Sequence, residues 1–363
     1  MNIVKLISFS LMLILVSYTQ QSFAKTYAYL IGTDGKVTKI DADADTIVAN
    51  LKIEKSSYVQ SGETSVVADK MNNHLFVVTG RLTPYIYVYD LKKLKFIKDI
   101  GIESANPDVD ILISPNRNQL FINWFVKEKG GWVYDLYDAE SLSRIKRFSV
   151  GEFVWGPKTT FSHDGGTIYV YNGATDKIQI YETTNFTLLD SIDLNTIWKT
   201  NGYLSGIEDS INEKILIRET KIVTQDSPPE VTYFVYDLKT KTSSPKIITI
   251  VAGEAKLSLD GAKIFIHDED SIWSEDKSYV MYHKSLGRLY VYDIATGKKW
   301  GFIQFTVDRE SDILGIHPNG NKVYMKGDIQ GNRSLIVMDV VKLQVLKTLR
   351  ISENILFMIF YEE

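Results

Sequence analysis

The chain has no cysteine in 363 residues. This excludes disulfides, CxxC redox motifs, Cys-ligated zinc, iron–sulfur clusters and covalent CxxCH haem attachment on this chain. Histidine is scarce at five, and no pair has the spacing of a zinc site. There is no Gly-x-Ser-x-Gly nucleophile elbow, no GxGxxG and no Walker motif. Basic residues do not outnumber acidic ones: 41 Lys and Arg against 45 Asp and Glu leave a formal charge of −4. That is not the electrostatic footprint of a nucleic-acid binder. Only eight prolines, with 44% hydrophobic residues, argue against wholesale disorder.

The longest apolar run stands at the start. Lys5 supplies a positive n-region, Leu6 to Val16 form an apolar h-region, and Ser22-Phe23-Ala24 puts small residues where a signal peptidase reads. The h-region is short for a membrane span. Residues 1–24 therefore read as a cleaved export signal, with an uncleaved anchor as the alternative. Residues 25–363 would form one exported domain, periplasmic or secreted, with no membrane span after cleavage. Removing residues 1–24 takes away one lysine and no acid, so the formal charge becomes −5.

A repeat organises the rest. A hydrophobic residue followed by an acid recurs seven times: Ile40-Asp41, Tyr89-Asp90, Tyr137-Asp138, Tyr181-Glu182, Tyr236-Asp237, Tyr292-Asp293 and Met338-Asp339. The intervals are 49, 48, 44, 55, 56 and 46 residues. Each pair closes a strand-like run, and a short acid there can hydrogen-bond the turn backbone. A second, Asn/Asp/Gly/Ser-rich turn precedes a β-branched or aromatic run in six units, as in Ser162-His163-Asp164-Gly165 and His317-Pro318-Asn319-Gly320. Each unit thus holds four strands, A to D, and helical periodicity is absent. Four-stranded units repeated seven times predict an all-β, seven-bladed β-propeller; a β-sandwich array is the alternative.

The two signals do not match in number. The first unit, from about Thr26 to Glu54, has three strands and no A–B turn. An extra apolar run, Ile355 to Tyr361, follows the last unit. This run is expected to be the innermost strand of the first blade, completing it and closing the ring.

His163 to Asn172, continued by Ile178 to Thr183, resembles the YVTN-type repeat, as do Ser258 to Ile266 and His317 to Met325. The resemblance spans essentially residues 26–363. No unit ends in the Trp-Asp of a WD40 repeat. The resemblance implies a seven-bladed propeller of the kind found in amine dehydrogenase large subunits, cytochrome d1 domains and the hydrazine synthase beta subunit. It is specific for fold and weak for function, because one fold hosts many activities.

The long intervals locate the candidate site. The fifth unit adds Lys221 to Val231, with Glu230, and the sixth adds Asp268 to Ser285. Both additions are expected in B–C loops, which share a face with the D–A connections. Asp268, Glu269, Asp270, Glu275 and Asp276 surround Trp273, with His283 close by. Trp is favoured at binding hot spots, and concentrated carboxylates steer basic partners or bind hard cations. These residues are the candidate partner- or ligand-binding set; a merely solvated insertion is the alternative.

Each inter-blade passage also offers an acid: Glu63, Asp108, Glu152, Glu208, Glu254 and Glu310. Glu254 lies between both insertions and is the candidate ligand for a divalent cation at the channel mouth. Asp41-Ala42-Asp43-Ala44-Asp45 begins like a calcium loop, but Thr46 replaces the required Gly and Lys52 the terminal Glu. It reads as the repeat's ordinary C–D turn.

No residue is assigned a catalytic role. The first functional reading is a non-catalytic subunit of an exported redox complex, amine-dehydrogenase-like or hydrazine-synthase-like. Haem would be reached only through a partner, such as a multihaem cytochrome or a quinoprotein subunit. The alternatives are a stand-alone hydrolase or lactonase with a metal at the channel mouth, and a cell-envelope binding module. One outcome checks the ring-closure reading directly. Truncation after Ser352 should lower the melting temperature sharply or abolish folding, measured by circular dichroism; a truncated protein as stable as full length would refute it.

Overall fold

The computed structural model describes residues 25–53, 59, 65–79, 84–103, 109–115, 118–126, 131–149, 159–172, 175–197, 203–211, 213–221, 230–249, 253–273, 280–307, 311–351 and 355–362. Seven antiparallel sheets succeed one another along the chain, each the core of one blade. Blades 2 to 7 take their strands in sequence order from inside to outside. Blade 2, for example, runs Val66–Asp69, His74–Thr79, Tyr85–Asp90 and Phe96–Gly101. Blade 1 is different. Its sheet begins with Ile355–Glu362, followed by Thr26–Gly32, Lys36–Asp41 and Thr46–Lys52. Thr26 pairs with Glu362 and Ile31 with Phe357, so the C-terminal strand closes the ring as expected. Helix is confined to one 3-10 turn, Leu194–Thr196, among the described residues.

The repeated acid has the structural role its position suggested. It ends strand C and lies opposite the first residues of strand B: Tyr27↔Asp41, His74↔Asp90, Gln119↔Asp138, Thr167↔Glu182, Lys214↔Asp237, Lys263↔Asp293 and Lys322↔Asp339. All six aspartates accept backbone N–H bonds from the following turn, as Asp90 Oδ1 does from Lys93 at 2.7 Å. The next residue donates its N–H back to the residue that precedes the acid's partner in every blade, from Ala42 to Thr26 round to Val340 to Asn321.

Four residues after each acid the backbone turns left-handed: Asp45, Leu94, Leu142, Phe186, Lys241, Gly297 and Leu343 have φ between 50° and 67°. Only one of the seven is glycine. A side chain here costs about 1–2 kcal/mol. Burial offsets that cost: Leu94, Leu142 and Phe186 are buried in apolar clusters, and Leu343 packs against one.

Those clusters carry the fold. The described residues form seven, and each joins two adjacent blades. One holds Phe76 and Val88 of blade 2 with Ile111, Leu120 and Leu142 of blade 3; another holds Tyr324 and Val337 of blade 7 with Ala28 and Leu30 of blade 1. A blade thus buries each face against its neighbour rather than against itself. The fit is tight at glycines. A methyl group on Gly301 of blade 6 would overlap Leu343 of blade 7, and one on Gly315 would meet Phe360 of the closing strand at 3.1 Å.

The left-handed turn yields a paired prediction. Leu142→Gly relieves strain but empties part of the blade 2–blade 3 cluster, so a net loss of about 1–3 kcal/mol is expected. Lys241→Gly removes the same strain from an exposed side chain whose ion pair with Asp190 is solvated. It should change stability by less than about 1 kcal/mol. Urea melts of the two variants measure the difference.

Candidate functional site

In blade 2 and blade 4, strands B and C are six residues long. In blade 6 they are 11 and 14, Lys263–Trp273 and Val280–Asp293. The sixth-unit insertion is therefore a two-stranded hairpin that prolongs the blade, where the sequence suggested a loop. The polar run is paired in a defined register. It sets Asp270 opposite Lys284, Ser271 opposite His283 and Ile272 opposite Tyr282, with bulges after His267 and Ile272. Glu269, Asp270, Trp273 and His283 are thus strand residues; Glu275 and Asp276 lie outside the described residues. In the fifth unit, Glu230 begins strand Glu230–Asp237 opposite Lys221 and is half-buried; the turn between them is outside the described residues.

At the hairpin root the polar groups turn inward. Asp268 is 5% exposed and pairs with Arg288 at 3.5 Å. Burial pushes its carboxyl pKa above the ordinary value, and the Arg288 guanidinium opposes that shift. His267 Nε2 lies 2.8 Å from Ser311 Oγ of blade 7. A His–Ser contact of this length has the geometry of a base and a nucleophile. Here, however, the two residues are 0% and 1% exposed, so no substrate reaches the hydroxyl. The pair ties blade 6 to blade 7. Ser311 gave no signal in the sequence, because its partner is 44 residues away.

Glu254 immediately precedes strand Ala255–Leu257, the innermost strand of blade 6. Its Oε2 accepts the Ile313 N–H of blade 7 at 2.8 Å, and its Oε1 lies 3.4 Å from Lys256 Nζ. Its main-chain carbonyl accepts from His267. Burial pushes the Glu254 carboxyl pKa up; Lys256 and the Ile313 bond pull it down, and Asp312 adds to the rise. Asp312 is itself paired with Lys326 at 2.5 Å. Asp209 does similar work between blades 5 and 6, accepting the Leu257 N–H at 2.7 Å.

The other inter-blade acids are not gathered around Glu254 by the described structure. Glu208 lies within strand Tyr203–Ile211 rather than in a loop, and Glu63, Asp108, Glu152 and Glu310 fall outside the described residues. No group of three or more His, Asp or Glu among the described residues is arranged to hold a metal ion, and no described helix is long and apolar enough to cross a membrane.

The Asp41–Asp45 turn holds a cation, but an internal one. Lys322 Nζ of blade 7 lies 2.9 Å from both Asp45 carboxylate oxygens, 2.8 Å from the Ala42 carbonyl and 3.2 Å from that of Asp43.

No protein-family model matches the chain, and no curated protein matches it. Its fold resembles several solved structures. The dihydro-heme d1 dehydrogenase NirN, solved in complex with DHE, is 13% identical at a TM-score of 0.54, covering 93% of this chain and 75% of that one. Hydrazine synthase of Kuenenia stuttgartiensis is 10% identical at 0.57, covering 85% and 94%. A protein of unknown function from Desulfotomaculum acetoxidans is 9% identical at 0.58, covering 92% and 98%. At such identities the likeness is one of fold.

Glu254→Gln separates a structural from a metal-binding role. A carboxyl whose folded pKa is raised destabilises the fold at pH above that value. Gln keeps an acceptor for Ile313 without the buried charge, so the variant should melt no lower than wild type at pH 7. If Glu254 instead binds a divalent cation, added calcium or magnesium will raise the wild-type melting temperature and leave that of the variant unmoved.

Proposed function

We propose that this chain is the non-catalytic β-propeller subunit of an exported redox complex. The face bearing the blade 6 hairpin would dock a haem- or quinone-bearing partner, such as a multihaem cytochrome or quinoprotein subunit. The carrying observation is the asymmetry of the ring: one blade extends both middle strands well beyond the length used in blades 2 and 4. Elaboration on a rigid scaffold commonly carries recognition. The hairpin acids suit a partner with a basic surface, since complementary charge steers encounter. The propeller likeness to NirN and to hydrazine synthase is consistent with this reading. Export rests on the signal-like features of residues 1–24.

A second reading, a stand-alone hydrolase or lactonase with a metal at the channel mouth, rests on Glu254 alone. It is disfavoured by the engagement of both carboxylate oxygens with protein groups.

Purification from the native envelope, followed by mass spectrometry and a visible spectrum, tests the proposal. A haem- or quinone-bearing protein should co-elute, and shortening the hairpin by deleting residues 269–285 should remove it while the propeller stays folded. A colourless protein that elutes alone, or a partner retained after the deletion, would count against it.

A further inference from the structure

The A–B turns share one device. In blades 2, 4, 6 and 7 the residue five positions before the residue opposite the repeated acid offers a side-chain acceptor to the turn's N–H groups. Asp69 Oδ1 accepts from Met71 and Asn72. Ser162 Oγ accepts from Thr167, and Ser258 Oγ from Ala262 and Lys263. In blade 7 the acceptor is an imidazole: His317 Nδ1 receives the Asn319 N–H at 3.2 Å. A hydroxyl accepts at any pH, and a carboxylate does so throughout the neutral range. An imidazole nitrogen accepts only while it carries no proton.

His317 also stands at the place where the ring is closed. It is 3% exposed. Its ring meets Phe360 of the closing strand edge-on at 5.8 Å. Its Nε2 lies 3.7 Å from Asp43 Oδ1 in the C–D turn of blade 1. The other charged groups facing it are Lys322 and Asp45, which neutralise each other at 2.9 Å. Tyr324, beside them, donates its hydroxyl hydrogen to the Ala42 carbonyl.

We propose that His317 makes the seam between blades 7 and 1 acid-labile: a proton on its buried ring withdraws the acceptor from the blade 7 turn and loosens the closing strand. Two other histidines at blade seams face groups of a different kind. His74 Nδ1 faces the Ala139 carbonyl and His267 Nε2 faces a hydroxyl, and both partners accept from a protonated nitrogen. Burial outweighs the attraction of Asp43 and lowers the His317 pKa from its usual 6.5. The unfolded chain therefore binds the proton more readily. The stability this ring provides is complete above pH 6.5, falls as pH drops through that value, and is lost below the folded pKa.

Hydrogen exchange of the full chain at pH 7.5 and 5.5, corrected for intrinsic rates, tests this. Exchange should accelerate in Ile355–Glu362 and in the blade 7 A–B turn at pH 5.5, before blades 3 and 4 respond. His317→Ser installs the acceptor used in blades 4 and 6 and should abolish the acceleration; His317→Asn is the second variant should the first fold poorly. Equal protection of wild type at both pH values, or an acceleration that persists in a folded variant, would overturn the proposal. A nuclear magnetic resonance titration of wild-type His317 gives a check that needs no variant. A pKa below 6.5 supports it, and one at or above 6.5 overturns it.

Discussion

Everything in this molecule depends on apolar surface shared between neighbouring blades. A four-stranded sheet has two faces, and in each of the seven clusters the residues of one blade are covered by those of the next. An open row of blades would leave two faces in water, each losing roughly 25 cal/mol for every Å² uncovered. The ring must therefore close, and the closing strand Ile355–Glu362 has two tasks. It pairs with Thr26–Gly32 and so removes an exposed strand edge. It also sends Phe360 and Met358 toward blade 7, where Gly315 leaves room for them. A chain with no cysteine holds its ends together by this register and this packing.

The repeat shows which parts of such a structure a sequence reveals. The acid after strand C was legible because its contacts are local: its acceptors serve N–H groups two or three residues ahead. The missing first strand was legible because the two turn signals differed in number. The left-handed residue four positions on was not, because propensity argues against Leu or Phe at positive φ. At Leu94, Leu142 and Phe186 cross-blade burial offsets the cost, and it involves partners from another unit. The blade 6 hairpin was misread for a related reason. Its acids have loop composition, while the pairing of its two strands joins positions such as Asp270 and Lys284 that composition does not connect.

The candidate site divides along the same line. Glu254 was recognisable as an acid at an inter-blade passage. Its bond to Ile313, 59 residues away, was not, and that bond converts a possible ligand into a link between adjacent inner strands. Asp209 repeats the arrangement one blade earlier. The buried His267–Ser311 pair is likewise a seam contact despite its reactive geometry. The described polar groups at the root of the elaborated face are thus engaged within the propeller: Asp268 with Arg288 inside blade 6, and Glu254 and His267 across the seam to blade 7. What distinguishes this face is the prolonged hairpin.

The Asp41–Asp45 turn carries the argument one step further. Three aspartates in five residues, with main-chain carbonyls among them, are an oxygen-rich environment that attracts a hard cation. Here the cation is Lys322, supplied by the last blade to the first across 277 residues of sequence. Its ammonium is largely buried, with Asp45 as counter-ion and two carbonyls as further acceptors. A buried pair of this kind gains little stability over an apolar one but is costly to break, because either partner left alone is a desolvated charge. That asymmetry suits a seam. Blade 7 set beside any turn other than that of blade 1 would leave Lys322 without its four oxygens, so the contact discriminates against wrong closure more than it strengthens the right one.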